Sequence, residues 1–140
     1  MTGRARVSWL EHDADLRLRV SAPDPERLFT AAARAVVEAS VEGTIGDDLR
    51  RRIELAGPDK ESLLVAWLNE ILFLIFSGRF LPARVDRIRI EENTLAATLA
   101  GGPPDPEKQR FVREIKAATF HGLAVERSGA AWTATILFDV

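Results

Sequence analysis

The sequence predicts one α+β domain, and three observations carry that prediction. Alternating apolar and polar stretches outnumber helical ones, and only two segments have helical periodicity. The resulting order, β-β-α-β-α-β-β-β-β-β, does not alternate as a parallel doubly wound sheet does. Layered mixed β-sheets packed with two main helices are therefore expected. A chain of 140 residues that is 46% apolar suffices for one continuous core, whereas two domains would each be short of buried area. Residues 1–140 are read as a single domain, with 1–6 expected to be flexible.

Taken in order, Val7 to Leu10 and Leu16 to Ser21 alternate as short strands, with Leu16, Leu18 and Val20 inward and Arg17 and Arg19 outward. The acidic turn His12-Asp13-Ala14-Asp15 joins them. Asp24-Pro25-Glu26 spells a helix start: an N-cap acceptor, a proline at the first helical position and an acid near the positive end of the dipole. Leu28, Ala32, Ala35, Val36 and Ala39 supply its buried stripe, up to about Val41. Gly43 and Gly46-Asp47-Asp48 mark a loop, and Leu49 to Leu55 alternates as a strand ending at Gly57-Pro58.

Asp59 caps the second helix. Its Leu64, Trp67, Leu68, Ile71, Leu72 and Ile75 span so wide an apolar face that it is expected at the centre of the core, stopping at Gly78. Ala83 to Glu91 and Thr94 to Ala100 read as a hairpin turning at Glu92-Asn93, with Ile88 and Ile90 inward. Gly101-Gly102-Pro103-Pro104 forbids regular structure, and Asp105 to Lys108 is read as a loop or single turn. Phe111 to Ala117, Leu123 to Arg127 and Ala131 to Phe138 are the remaining expected strands, the last two joined through Ser128-Gly129-Ala130.

Composition excludes several function classes. The longest greasy stretch, Leu63 to Phe76, contains Asn69 and Glu70 and reads as a core helix, so no membrane span is expected. The first residues are basic but lack an apolar stretch behind them, and there is no cysteine; both fit a cytoplasmic protein. Any metal must then be held by oxygen or by the two histidines. A formal net charge of -2 argues against a dedicated nucleic-acid binder. The pairs Arg17/Arg19, Arg50/Arg52 and Arg87/Arg89 each share a strand face and read as solvated outer surfaces.

The residues that can carry chemistry lie mostly at the two ends. Asp13 and Asp15 stand in the acidic turn, where a lone aspartate is ordinarily a capping residue. If the first and last strands are neighbours, Asp15, Asp139 and the carboxylate of Val140 make a hard-oxygen cluster suited to Ca²⁺ or Mg²⁺. His12 and His121 read equally as polar side chains satisfied by backbone, and a zinc site lacks its third nitrogen or sulfur ligand. Lys116 suits an anion, or is a strand lysine reaching solvent. No nucleophile elbow or phosphate-binding loop is present.

Five blocks in order resemble the archease family: Leu10-Glu11-His12-Asp13-Ala14-Asp15, Leu64-Val65-Ala66-Trp67-Leu68-Asn69-Glu70, Asp105-Pro106-Glu107-Lys108, Glu114 through Gly122, and Leu137-Phe138-Asp139-Val140. The resemblance spans about Val7 to Val140. It implies a compact layered α+β fold and a protein that is not itself an enzyme. The implied role is activation of an RtcB-type RNA ligase in tRNA splicing or RNA repair, by promoting its GTP-dependent guanylylation and multiple turnover. RNA and GTP are then met only through the ligase.

The resemblance also implies a divalent cation, taken in the family to be Ca²⁺ with Mg²⁺ or Mn²⁺ as alternatives, bound by Asp15, Asp139 and Val140. His12, Asp13, Glu42, Lys116 and His121 are candidates for supporting or partner contacts. The family usually carries Thr at Asp13 and tends to carry Asp at Glu42. Two other readings stay open: a stand-alone metal-dependent phosphoester hydrolase using Asp13, Asp15, His121 and Asp139, and a chaperone-like binding module without chemistry.

Overall fold

The computed structural model describes residues 4–12 and 15–140, with 11, 12 and 120–123 as backbone alone. Both helices start where the caps predict. Helix α1 (Pro25–Ser40) begins with the Arg27 amide donating to the Asp24 carboxylate at 2.8 Å, and α2 (Lys60–Phe76) with the Ser62 amide donating to Asp59 at 2.7 Å. The strands are β1 (Arg6–His12), β2 (Asp15–Ala22), β3 (Val41–Gly43), β4 (Leu49–Ala56), β5 (Leu81–Glu91), β6 (Thr94–Gly102), β7 (Gln109–Phe111), β8 (Ala117–Ser128) and β9 (Ala131–Asp139). They form a four-stranded sheet, β1-β2-β9-β8, a three-stranded sheet, β4-β6-β5, and the small pair β3-β7. Every pairing is antiparallel rather than mixed.

The helices lie between the two larger sheets. Helix α1 packs on β1, β2 and β5, α2 packs on β4, β5 and β8, and the helices pack on each other. Helix α2 is therefore buried on several sides, through Leu63, Leu64, Trp67, Leu68, Ile71 and Ile75 among others. A helix apolar nearly all round is stable only in such a place. The Trp67 indole keeps its one donor satisfied by the Phe29 carbonyl at 2.9 Å. Each helix also protects an exposed sheet edge from its first turn: Glu26 accepts from the Ile90 amide of β5 at 3.2 Å, and Glu61 from the Val125 amide of β8 at 2.9 Å.

Besides Gly101 and Gly102, expected to forbid regular structure but instead ending β6 in register with β5, three expectations need correction. The strand predicted from Phe111 to Ala117 does not form: β7 ends at Phe111 and β8 starts at Ala117. The segment between them is held by tertiary bonds, the Val112 amide donating to the Ser40 carbonyl at 2.9 Å and the Lys116 amide to the Asp139 carbonyl at 2.8 Å. Only Ile115 within it is buried, so the alternation expected of a strand is missing. Second, β3 and β7 escape the sequence reading because three residues are too few to show a period. Gly43, read as a loop marker, ends β3 at φ +115°, where any Cβ would run into the Lys108 carbonyl. Third, β8 starts at Ala117 rather than Leu123, with its pairing to β9 interrupted between Thr119 and Ala124.

Candidate metal centre

The hairpin β1-β2 and the last strand lie side by side, so their ends meet at one end of the four-stranded sheet. Asp15 pairs with Asp139 across β2 and β9. The same row continues to His12 on β1 and Ala117 on β8. Residues directly opposed in antiparallel strands share a face, with Cβ atoms about 4.5–5.5 Å apart, so two carboxylates at this spacing can reach one ion.

The register is fixed from the core side. Leu16 pairs with Phe138, both buried, and Phe138 packs against the Trp9 ring with centroids 5.8 Å apart. A slip of either strand by one residue would turn its own aspartate toward the core and its apolar neighbour, Leu16 or Phe138, out. The row is thus held while the aspartates stay on the outer face, Asp15 half-buried and Asp139 exposed.

A residue that sequence reasoning passed over steadies the neighbouring strand. The Asn69 side chain accepts from the Ala118 amide at 2.8 Å and donates to the Ala118 carbonyl at 3.3 Å, acting as a substitute strand partner from α2. Ala118 is next to Ala117, the register partner of Asp139. The signal available was an amide side chain inside an apolar helix, which needs a buried partner to be tolerated.

The other candidates fall in different places. Glu42 does not join the row: it lies on β3 and takes two bonds from the Arg110 guanidinium of β7, at 2.9 and 2.7 Å. Lys116 is exposed in the segment before β8, with its amide bonded to the Asp139 carbonyl. Asp13 lies outside the described residues, as do the side chains of His12 and His121. Among the described residues no three His, Asp or Glu side chains gather as a metal-holding group. Two aspartates therefore need oxygens of the adjoining Val140 to extend the donor set. That all-oxygen set is of the type that Ca²⁺ and Mg²⁺ prefer.

Residues 8–140 match the model of the Archease protein family (MTH1598/TM1083). The chain belongs to the archease family. It is 33% identical over 140 residues to "Protein archease" of Methanosarcina acetivorans, covering 96% of each chain, and 34% identical to that of Methanopyrus kandleri, covering 94% of this chain and 96% of that one. Two archease-fold structures are similar. One is the solution structure of Methanobacterium thermoautotrophicum protein 1598, with TM-score 0.76, 27% identity and 96% and 98% coverage. The other is the crystal structure of an archease from Thermotoga maritima, described as a "possible chaperone", with TM-score 0.63, 26% identity and 94% coverage of each. In the described part of the chain no helix is long and apolar enough to cross a membrane.

Proposed function

We propose that this chain activates an RtcB-type RNA ligase in the cytoplasm, promoting the ligase's guanylylation by GTP and its repeated turnover in tRNA splicing or RNA repair. The observation that supports this reading is the Asp15–Asp139 row. Like charges directly opposed across two strands are destabilising by themselves. A cation held between Asp15, Asp139 and the oxygens of Val140 offsets that repulsion. When bound, the ion supplies positive charge near a transferring phosphoryl group. The chain's own residues do the positioning: the Leu16–Phe138 pair sets the register, and Asn69 holds the start of β8.

The test is guanylylation and turnover of the cognate ligase with and without the protein, using Asp15→Ala. The unsubstituted protein should gain melting temperature from Ca²⁺, Mg²⁺ or Mn²⁺, and the variant should fold normally but lose both that gain and the stimulation. Full stimulation by Asp15→Ala removes the row from the mechanism. Phosphoester turnover by the protein alone would support the hydrolase reading instead.

A second reading has one observation in its favour. Phe73, Phe111 and Val112 are large, apolar and exposed, and Phe111 stacks on Phe76 with centroids 5.6 Å apart. Such a surface suits a chaperone-like binding module. Suppression of aggregation of unrelated clients, undiminished in Asp15→Ala, is what that reading requires.

A further inference from the structure

The outer face of the three-stranded sheet carries a groove lined chiefly by arginines, several of them ion-paired with acids at its rim. Its floor is the central strand β6, which presents the small residues Ala96, Thr98 and Ala100. Its walls are mostly arginines from the flanking strands, with Glu54 of β4 standing opposite Arg89 across Ala96. Arg52 of β4 and Arg87 of β5 are both register partners of Thr98, Arg50 and Arg84 both pair with Ala100, and Arg89 pairs with Ala96. Neighbouring strands are about 4.8 Å apart, so the two walls stand roughly 9.6 Å apart at the backbone.

Bulges in β5 produce this arrangement. The pairing with β6 shifts between Val85 and Arg87, leaving Asp86 as an extra residue. Strict alternation would place Arg87 and Arg89 on the same face as Val85. The bulge reverses the parity, so Arg84, Arg87 and Arg89 all line the outer face while Val85, Ile88 and Ile90 pack toward the core.

Around Thr98 is a space of about 490 Å³ lined by Arg52, Arg87, Arg89, Ala96 and Thr98, with Ile88 and Ala97 beneath, and no acid among the described residues lines it. Among the described residues Arg87 has no acidic partner. Arg52 pairs with Glu54 at 2.8 Å and Arg89 with Glu91 at 3.7 Å, both exposed pairs of the readily exchanged kind.

We propose that this groove binds the phosphodiester backbone of a nucleic-acid strand. Guanidinium groups form paired hydrogen bonds to phosphate oxygens. A tetrahedral phosphate offers oxygens in more than one direction, so arginines from both walls and the Thr98 hydroxyl can engage one group. A planar carboxylate turns both oxygens to one side and is matched by one wall only. Further along β6, Arg50 and Arg84 stand on either side of the buried Ala100 and are held in exposed pairs, Arg84 with Asp47 at 2.7 Å and both with Asp86; exchange of those pairs would extend the run of guanidiniums, which suits a repeating polyanion better than an isolated phosphate. Among the described residues no aromatic side chain lines the groove, so bases are not stacked and the backbone is held without sequence preference. The net charge of -2 conceals this local site.

The test is fluorescence anisotropy of a labelled mixed-sequence RNA oligonucleotide titrated with the full chain over a series of salt concentrations. Binding should weaken log-linearly with salt. The double substitution Arg52→Gln/Arg87→Gln should weaken it at least about tenfold and flatten the slope by about 1.4, at about 0.7 per phosphate contact on a single strand. Arg34→Gln, an exposed substitution on α1, should change nothing. Asp15→Ala should bind RNA normally, so this site stands or falls apart from the ligase reading. The proposal is overturned if the RNA does not bind, if the double variant binds as well while its circular-dichroism melt is unchanged, or if polyglutamate displaces RNA at equal charge concentration. That last result would assign the groove to an acidic protein segment.

Discussion

The two large sheets use the same device for opposite ends. At one end of the four-stranded sheet, cross-strand register sets Asp15 beside Asp139; on the outer face of the three-stranded sheet it sets Arg52 and Arg87 on either side of Thr98. The acidic pair is clamped from beneath by buried groups, the Leu16–Phe138 contact and the Asn69 amide. The arginines rest on small residues, and their ion pairs are exposed. Charge placed by the core is expensive to disturb, whereas charge placed on a solvated face is cheap to exchange. A formal charge of -2 averages over both and reveals neither.

Phe138→Ala attacks the clamp and should have the largest effect. Removing this fully buried ring should cost about 3–5 kcal/mol in urea unfolding. If the acidic row depends on the clamp, the cation-induced rise in melting temperature should shrink as well, with RNA binding by the folded protein unchanged. Equal loss at both sites would show that the sheets are not independent.

Asn69→Ala comes next. It leaves the Ala118 amide and carbonyl without their α2 partner, a loss of about 1–3 kcal/mol. Hydrogen exchange should report faster opening at the start of β8 and little change in β4 to β6.

The smallest expected effect concerns acid sensitivity on the arginine side. A hydrogen bond from Arg84, at 2.7 Å, is the main reason the Asp47 carboxyl sits below its usual range; the Arg84 charge adds to it. A lowered native value means that the bond adds stability above the ordinary carboxylate range and that this is lost as the pH falls through the native value. Urea midpoints of the parent and of Arg84→Gln should therefore differ near neutrality, begin to converge only below about pH 4, and meet once the pH has fallen through the lowered native value. Both groups are exposed, so the gap should be small. A gap that widens in acid would contradict this reading.

Much of the fold was legible because its signals are local. Asp24 and Asp59 cap helices where the spelling predicts, and Leu16, Leu18 and Val20 face inward on β2 as their alternation requires. The segment after Phe111 misled because Phe111, Ile115 and Ala117 fall at the even spacing of a strand, while its amides bond to Ser40 and Asp139, distant in sequence. The candidate site was legible only in part. The resemblance pointed to Asp15, Asp139 and Val140, but nothing in the spacing revealed that Asn69 braces the adjoining strand or that Glu42 is taken up by Arg110.

The sequence by itself determined the two capped helices, the apolar stripe of each and the inward face of most strands, since these follow from periods of 3.6 and 2 along a single stretch of chain. Tertiary structure alone decided that Asp15 stands opposite Asp139, and that an extra residue at Asp86 turns three arginines to one face. Pairing and bulges are agreements between strands far apart in the chain, settled by which register buries Leu16 with Phe138 and Val85 with its core neighbours, and no local period encodes that choice.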